Sequence, residues 1–153
     1  AIAGGILLGA GMGAFVDGIA LHQILQWHNM LSAVRPPNDL VAVKTNMTWD
    51  GYFHAAAWLV VAVGLVTLVR AGKRGDSTWT GRSIFGAWWL GWGLFNLIEG
   101  VVDHHLLGLH HVNETAPKSE WPMWDLGFLL IGGVIFIAIG LGLIRSGRRT
   151  IAD

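Results

Sequence analysis

Two stretches of this chain carry the same chemistry in the same order. Asp17-Gly18-x3-His22-x5-His28 matches Glu99-Gly100-x3-His104-x5-His110. A further imidazole follows at His111, another stands beside His104 at His105, and the seventh is His54. Neutral imidazole and carboxylate are good ligands for iron, copper(II), zinc or manganese. A carboxylate can also serve one step out, as the acceptor that fixes a histidine tautomer. The candidate metal set is therefore His22, His28, His54, His104, His105, His110, His111, Asp17, Glu99 and Asp103. The expected inner ligands are His22, His104, His54 and either His28 or the pair His110–His111. Glu99 and Asp103 are the expected catalytic groups, tuning the metal or moving protons.

The repeat extends beyond the histidines. Upstream, Gly11-x-Gly13-x-Phe15 matches Gly91-x-Gly93-x-Phe95. Downstream, Trp49-Asp50-x2-Phe53 matches Trp124-Asp125-x2-Phe128, and basic tails close each half at Arg70–Arg74 and Arg145–Arg149. The halves run from about 1 to 74 and from about 82 to 150, within one transmembrane domain covering 1–153. His54 has Leu129 as its counterpart, so the repeat is imperfect at the site.

The elements that position these residues are membrane helices. The chain has 153 residues, of which 53% are apolar and 13% charged. That composition favours a membrane protein over a soluble globule. There is no cysteine, which removes thiolate sites and disulfides together. Ten basic residues against ten acidic ones leave no charge to suggest nucleic acid. Apolar segments near 2–30, 50–70, 82–111 and 125–145 are each long enough to cross a bilayer. The N-terminus starts inside the first of these and reads as a helix, not a removable signal. The expected fold is all-α: an integral membrane four-helix bundle of two parallel two-helix repeats. Parallel repeats are related by an axis along the membrane normal, and bundle cores are where facing helices build metal sites. Gly11, Gly13, Gly91 and Gly93 are suited to close helix contact.

Basic residues orient the chain. Arg70, Lys73, Arg74 and Arg82 lie in the second connection, and Arg145, Arg148 and Arg149 follow the fourth segment, whereas only Arg35, Lys44 and Lys118 lie in the other two connections. The positive-inside rule then places both termini in the cytoplasm and the histidine-rich ends outside. The expected location is a bacterial inner membrane, multi-pass, with the site facing the periplasm. On a straight α-helix, positions eleven apart share a face, so Asp17 aligns with His28 and Glu99 with His110, ~16 Å apart along the axis. Asp50 and Asp125 are expected to cap the second and fourth helices.

Other readings use the same residues. His22 and His104 could be axial ligands of a bis-histidine haem b. Buried Asp17, Glu99 and Asp103 could form a proton or ion pathway. A redox or oxygen-related metal centre is the first expectation, and a copper or zinc handling protein, with His28, His110 and His111 as entry ligands, is the second. The bilayer is the expected partner, with a second copy of the chain or a membrane redox complex as further candidates.

The run Gly11-Met-Gly-Ala-Phe-Val-Asp-Gly-Ile-Ala-Leu-His-Gln-Ile-Leu-Gln-Trp-His28 resembles the signature of a family of small bacterial membrane proteins, a domain of unknown function. So do Trp49-Asp-Gly-Tyr-Phe-His54 and Phe95-Asn-Leu-Ile-Glu-Gly-Val-Val-Asp-His-His-Leu-Leu-Gly-Leu-His-His111. The resemblance covers nearly the whole chain. It implies a four-helix inner-membrane protein and supplies no reaction.

Overall fold

The computed structural model describes residues 1–75 and 79–152, without the side chains of 148–152. The tail residues Arg148 and Arg149 therefore lie outside the described side chains. Four long helices make up the fold, and among the described residues there is no strand. Helix α1 spans Ile2–Ile24 and α2 spans Leu40–Lys73. Helix α3 covers 81–106 and α4 covers 121–152, the latter entered through a short 3-10 turn at Lys118–Glu120.

Helices α1, α2 and the 118–147 segment containing α4 are each long and apolar enough to cross a membrane. Their outward faces carry large exposed apolar side chains, among them Ile24, Trp58, Leu59 and Ile131. Lipid covers such a surface, which water would not tolerate at this extent. Helix α3 has comparable length but is not among these apolar spans, since Gly, Trp, Asn, Glu, Asp and His interrupt it. It packs along α1 on one side and α4 on the other, so it has the least need of a lipid-facing surface.

The packing order is α2, α1, α3, α4, with α1 and α3 as the central pair. Among the described residues α2 and α4 do not pack on each other to a comparable extent, so each of them packs on one helix of the central pair. The most apolar window of α1 is 44% buried, against 11% for α2 and 17% for that containing α4. Glycine makes the central contact close. A Cβ on Gly9 would collide with the Trp88 carbonyl, and one on Gly91 with the Ile6 carbonyl. The two backbones touch directly, as small residues permit in lipid.

Three corrections to helix boundaries matter for the site. Helix α2 begins at Leu40, not near 50, because Asp39 caps it by accepting from the Ala42 amide. Asp50 is thus a buried residue inside a helix and caps nothing. Helix α4 begins at Trp121, with Pro122 in its first turn, so Asp125 is likewise internal. Helices α1 and α3 end early, at Ile24 and Leu106.

Both of these helices change their winding where the acids begin. The α-helix of α1 gives way to π-helix over Asp17–Ile24, and that of α3 over Gly100–Leu106. A π-helix pairs residues five apart, so side chains at that spacing come to one face. Asp17 and His22 have that spacing, as do Glu99 and His104. Beyond each π segment the chain reverses through a left-handed residue, Gln26 (φ 52°) in one half and Gly108 (φ 58°) in the other. The loops fold back over the end of the α1–α3 pair and bond each other: Ala33 N donates to Leu109 O and Glu114 N to Trp27 O.

Candidate metal centre

The reversals carry His28 and His110 back onto the helix ends. His110 Nε2 lies 2.9 Å from Glu99 Oε1, and His28 Nε2 lies 3.9 Å from Asp17 Oδ1. The separation expected along a straight helix is therefore replaced by contact.

Four imidazoles meet here. His22, His28, His104 and His110 are all buried, with at most 4% of their surface exposed. His28 and His110 stack face to face with ring centroids 4.5 Å apart. His22 sits edge-on to His28 at 4.4 Å, and His104 edge-on to His110 at 4.8 Å.

The outer nitrogen of three rings is hydrogen-bonded, and that of His104 faces a carboxylate. His22 Nδ1 is 3.0 Å from Asp50 Oδ1, and His104 Nδ1 approaches Asp125 Oδ1 at 3.4 Å. His28 Nδ1 donates to Val112 O at 2.8 Å, and His110 Nδ1 to Met30 O at 3.1 Å. Asp50 also accepts from the Met30 amide and from Asn29 Nδ2. Asp125 accepts from the Val112 amide and faces His111 Nδ1. Each aspartate thus ties one inner histidine to the loop that carries the carbonyl for another.

The inner nitrogens face one another and the acids. Asp17 Oδ2 is 3.0 Å from His22 Nε2, and Glu99 Oε1 is 3.0 Å from His104 Nε2. These approaches are out of line for hydrogen bonds. His22 Nε2, His28 Nε2, both ring nitrogens of His104 and Glu99 Oε2 are buried without a hydrogen-bond partner. One ligand atom each from His22, His28 and His110 lie within 4.8 Å of one another, and the same holds for Glu99, His104 and His110. His110 belongs to both groups.

Charge is unevenly held at the stacked pair. Burial, and then the neighbouring His110, keep His28 well below the ordinary imidazole pKa. Burial also opposes charge on His110, but the hydrogen bond to Glu99, together with the negative charges of Glu99 and Asp17, outweighs it and raises that pKa. Two imidazoles stacked this closely do not both carry a positive charge.

The remaining candidates stand apart. His54 lies on α2 against Gly18, stacked with Phe15 at 6.2 Å, and its buried Nε2 has no hydrogen-bond partner. His105 is exposed and bonds its own helix at Gly100 O. His111 is partly exposed and reaches Asp125 from outside. Asp103 is only partly buried and belongs to neither group. Asp50 and Asp125 are the site residues that sequence reasoning cast in another role. Their signal was present, since Trp-Asp stands at one register in both halves.

The sequence profile of one family, described as "Predicted membrane protein (DUF2243)", matches residues 4–147. The chain belongs to the DUF2243 family. The expectation of a membrane family of unknown function is met, and the DUF2243 match spans every residue of the cluster. No curated protein and no solved structure matches the chain.

Proposed function

We propose that this protein is an integral membrane metalloprotein whose centre is built by His22, His28, His104 and His110 with Asp17 and Glu99. One observation carries the reading: the buried Nε2 atoms of His22, His28 and His104 converge without hydrogen bonds, His110 Nε2 meets Glu99 beside them, and an acceptor faces each Nδ1. A metal-ligating histidine characteristically has its other nitrogen held in this way, which sets tautomer and orientation. A buried polar atom without a partner costs about 1–3 kcal/mol. Several in one cluster are hard to reconcile with a purely structural role.

Both halves contribute matching ligands, and His110 stands in both groups. This favours two metal ions, or one near the axis that relates the halves. Iron or copper fits four imidazoles and two carboxylates, and a dinuclear centre between helices is an established use of such frameworks. We assign redox or oxygen-related chemistry on that basis. Lys and Arg gather at the opposite end of the helices, at Arg70, Lys73, Arg74, Arg82 and Arg145. That distribution favours the cluster facing outward from the cytoplasm, across a bacterial inner membrane. Haem is the poorer fit, because rings packed with centroids 4.4–4.8 Å apart occupy the space a porphyrin needs.

A metal-handling role is the second reading. It is favoured by the open cleft that ends on His22 and Asp50. Exchange separates the two. A redox centre keeps its iron or copper against a mild chelator and changes its spectrum reversibly on reduction and reoxidation. Rapid loss of metal to the chelator, with no redox response, would select handling.

A further inference from the structure

The two halves match at the ligands but not at the surface outside them. On the first half, a cleft of about 550 Å³ lies between the 25–39 loop and the start of α2, lined by His22, Gln23, Gln26, Asn29, Met47 and Asp50 together with Pro37 and Val43. Its walls offer amide oxygens, a thioether and one carboxylate, with no Lys or Arg among them. His22 forms part of the wall between cleft and cluster. Its Nδ1 edge meets Asp50, and its Nε2 faces Asp17 inside.

The corresponding surface of the second half carries an ammonium and an indole ring, with Glu114 accepting from the His111 amide. Val43 stands seven residues before Asp50, and Lys118 stands seven before Asp125. The Lys118 ammonium lies 5.5 Å above the Trp121 ring, and that ring is tilted over His111 with centroids 4.8 Å apart. His111 there takes the place of Asn29, and Gly108 that of Gln26. The Gln26 position itself supports a role for the cleft. Both reversals need a left-handed residue, which glycine adopts freely and glutamine at a cost. One half uses the glycine, and the other keeps a side chain that lines the cleft.

We propose that the first-half cleft is the loading port for the centre, taking a hydrated divalent transition-metal cation past Gln26 and Asp50 to His22, while Lys118 and Trp121 close the other side. The proposal rests on the metal-centre reading.

The test follows Co²⁺ uptake by the metal-depleted full chain in detergent, through the visible absorption of bound Co²⁺. Val43→Lys copies the cation of the second half into the cleft without touching a ligand. Gln26→Arg does the same at the exposed rim and guards against a folding defect in the first variant. Each should slow uptake roughly tenfold or more at low salt, with partial recovery at high salt and unchanged final stoichiometry. Lys118→Val should load at the parental rate. Parental rates in both cleft variants would overturn the port, and so would slowing by Lys118→Val equal to that of Val43→Lys. If the parental chain itself takes up no Co²⁺, the metal centre fails and the port falls with it.

Discussion

His28 and His110 lie face to face, their ring planes 1° from parallel, and each is anchored to a carbonyl of the other half of the chain. His28 Nδ1 donates to Val112 O and His110 Nδ1 to Met30 O. The pair therefore locks the two loops together over the helix ends, and it fixes the two ligand groups relative to each other.

His110 is common to both groups, whereas His22 belongs to one. His110→Ala should bring bound metal close to zero. His22→Ala should leave the Glu99–His104–His110 group and a fraction of the metal. Stoichiometry of the purified variants checks this, and equal losses would argue against two separable groups.

Asp50 receives His22 Nδ1, the Met30 amide and Asn29 Nδ2, so its removal should loosen a ligand without deleting one. Asp50→Asn should weaken metal affinity by roughly 10- to 100-fold. Competition against a chelator of known strength measures this. An unchanged affinity would restrict Asp50 to tying the loop to α2.

Much of this was legible in sequence. The repeated acid–Gly–His spacing, the membrane helices and the family all follow from residue order and composition. The pairing of Asp17 with His22, and of Glu99 with His104, did not. Reading at 100° per residue puts positions five apart on different faces, and only the π winding over Asp17–Ile24 and Gly100–Leu106 brings them together. The fold-back of His28 was hidden for a related reason. A left-handed reversal is announced by glycine at Gly108, but its counterpart is Gln26, which gives no such signal. Asp50 reads as a cap because the apolar span begins there, while the true cap, Asp39, lies eleven residues earlier.

Gln26 sits where glycine would be unstrained. Gln26→Gly should raise stability by about 1 kcal/mol or less, the relief of a left-handed side-chain conformation offset by added unfolded-state freedom. Gly108→Gln should lower it by a similar amount. Thermal unfolding in detergent distinguishes the two. A destabilising Gln26→Gly would mean that the glutamine side chain holds the loop.

The direct contact between α1 and α3 leaves no room for a methyl group at Gly91, whereas Gly142 on α4 has open space around its Cβ position. Gly91→Ala should cost about 2 kcal/mol or more through overpacking, and Gly142→Ala should be neutral or slightly stabilising. Comparative unfolding of the pair measures it. Equal stability of the two variants would contradict the packing.

Metal entry requires neutral imidazoles. His28 already lies below the ordinary range, but His110 holds a proton above it. Binding must expel that proton, so affinity should rise with pH, by up to about tenfold per unit, until the His110 pKa is passed. Co²⁺ titrations across neutral pH test the sign. A flat profile would mean that no proton leaves His110 on binding.

The central claim is that the four convergent imidazoles hold metal, and elemental analysis of the purified protein beside His104→Ala tests it most directly. The account predicts stoichiometric iron or copper in the parental protein and, in the variant, loss of at least the share held by the Glu99–His104–His110 group, with helical content unchanged. A well-folded parental protein that contains no metal and takes none up, or a variant that keeps full occupancy, would contradict it.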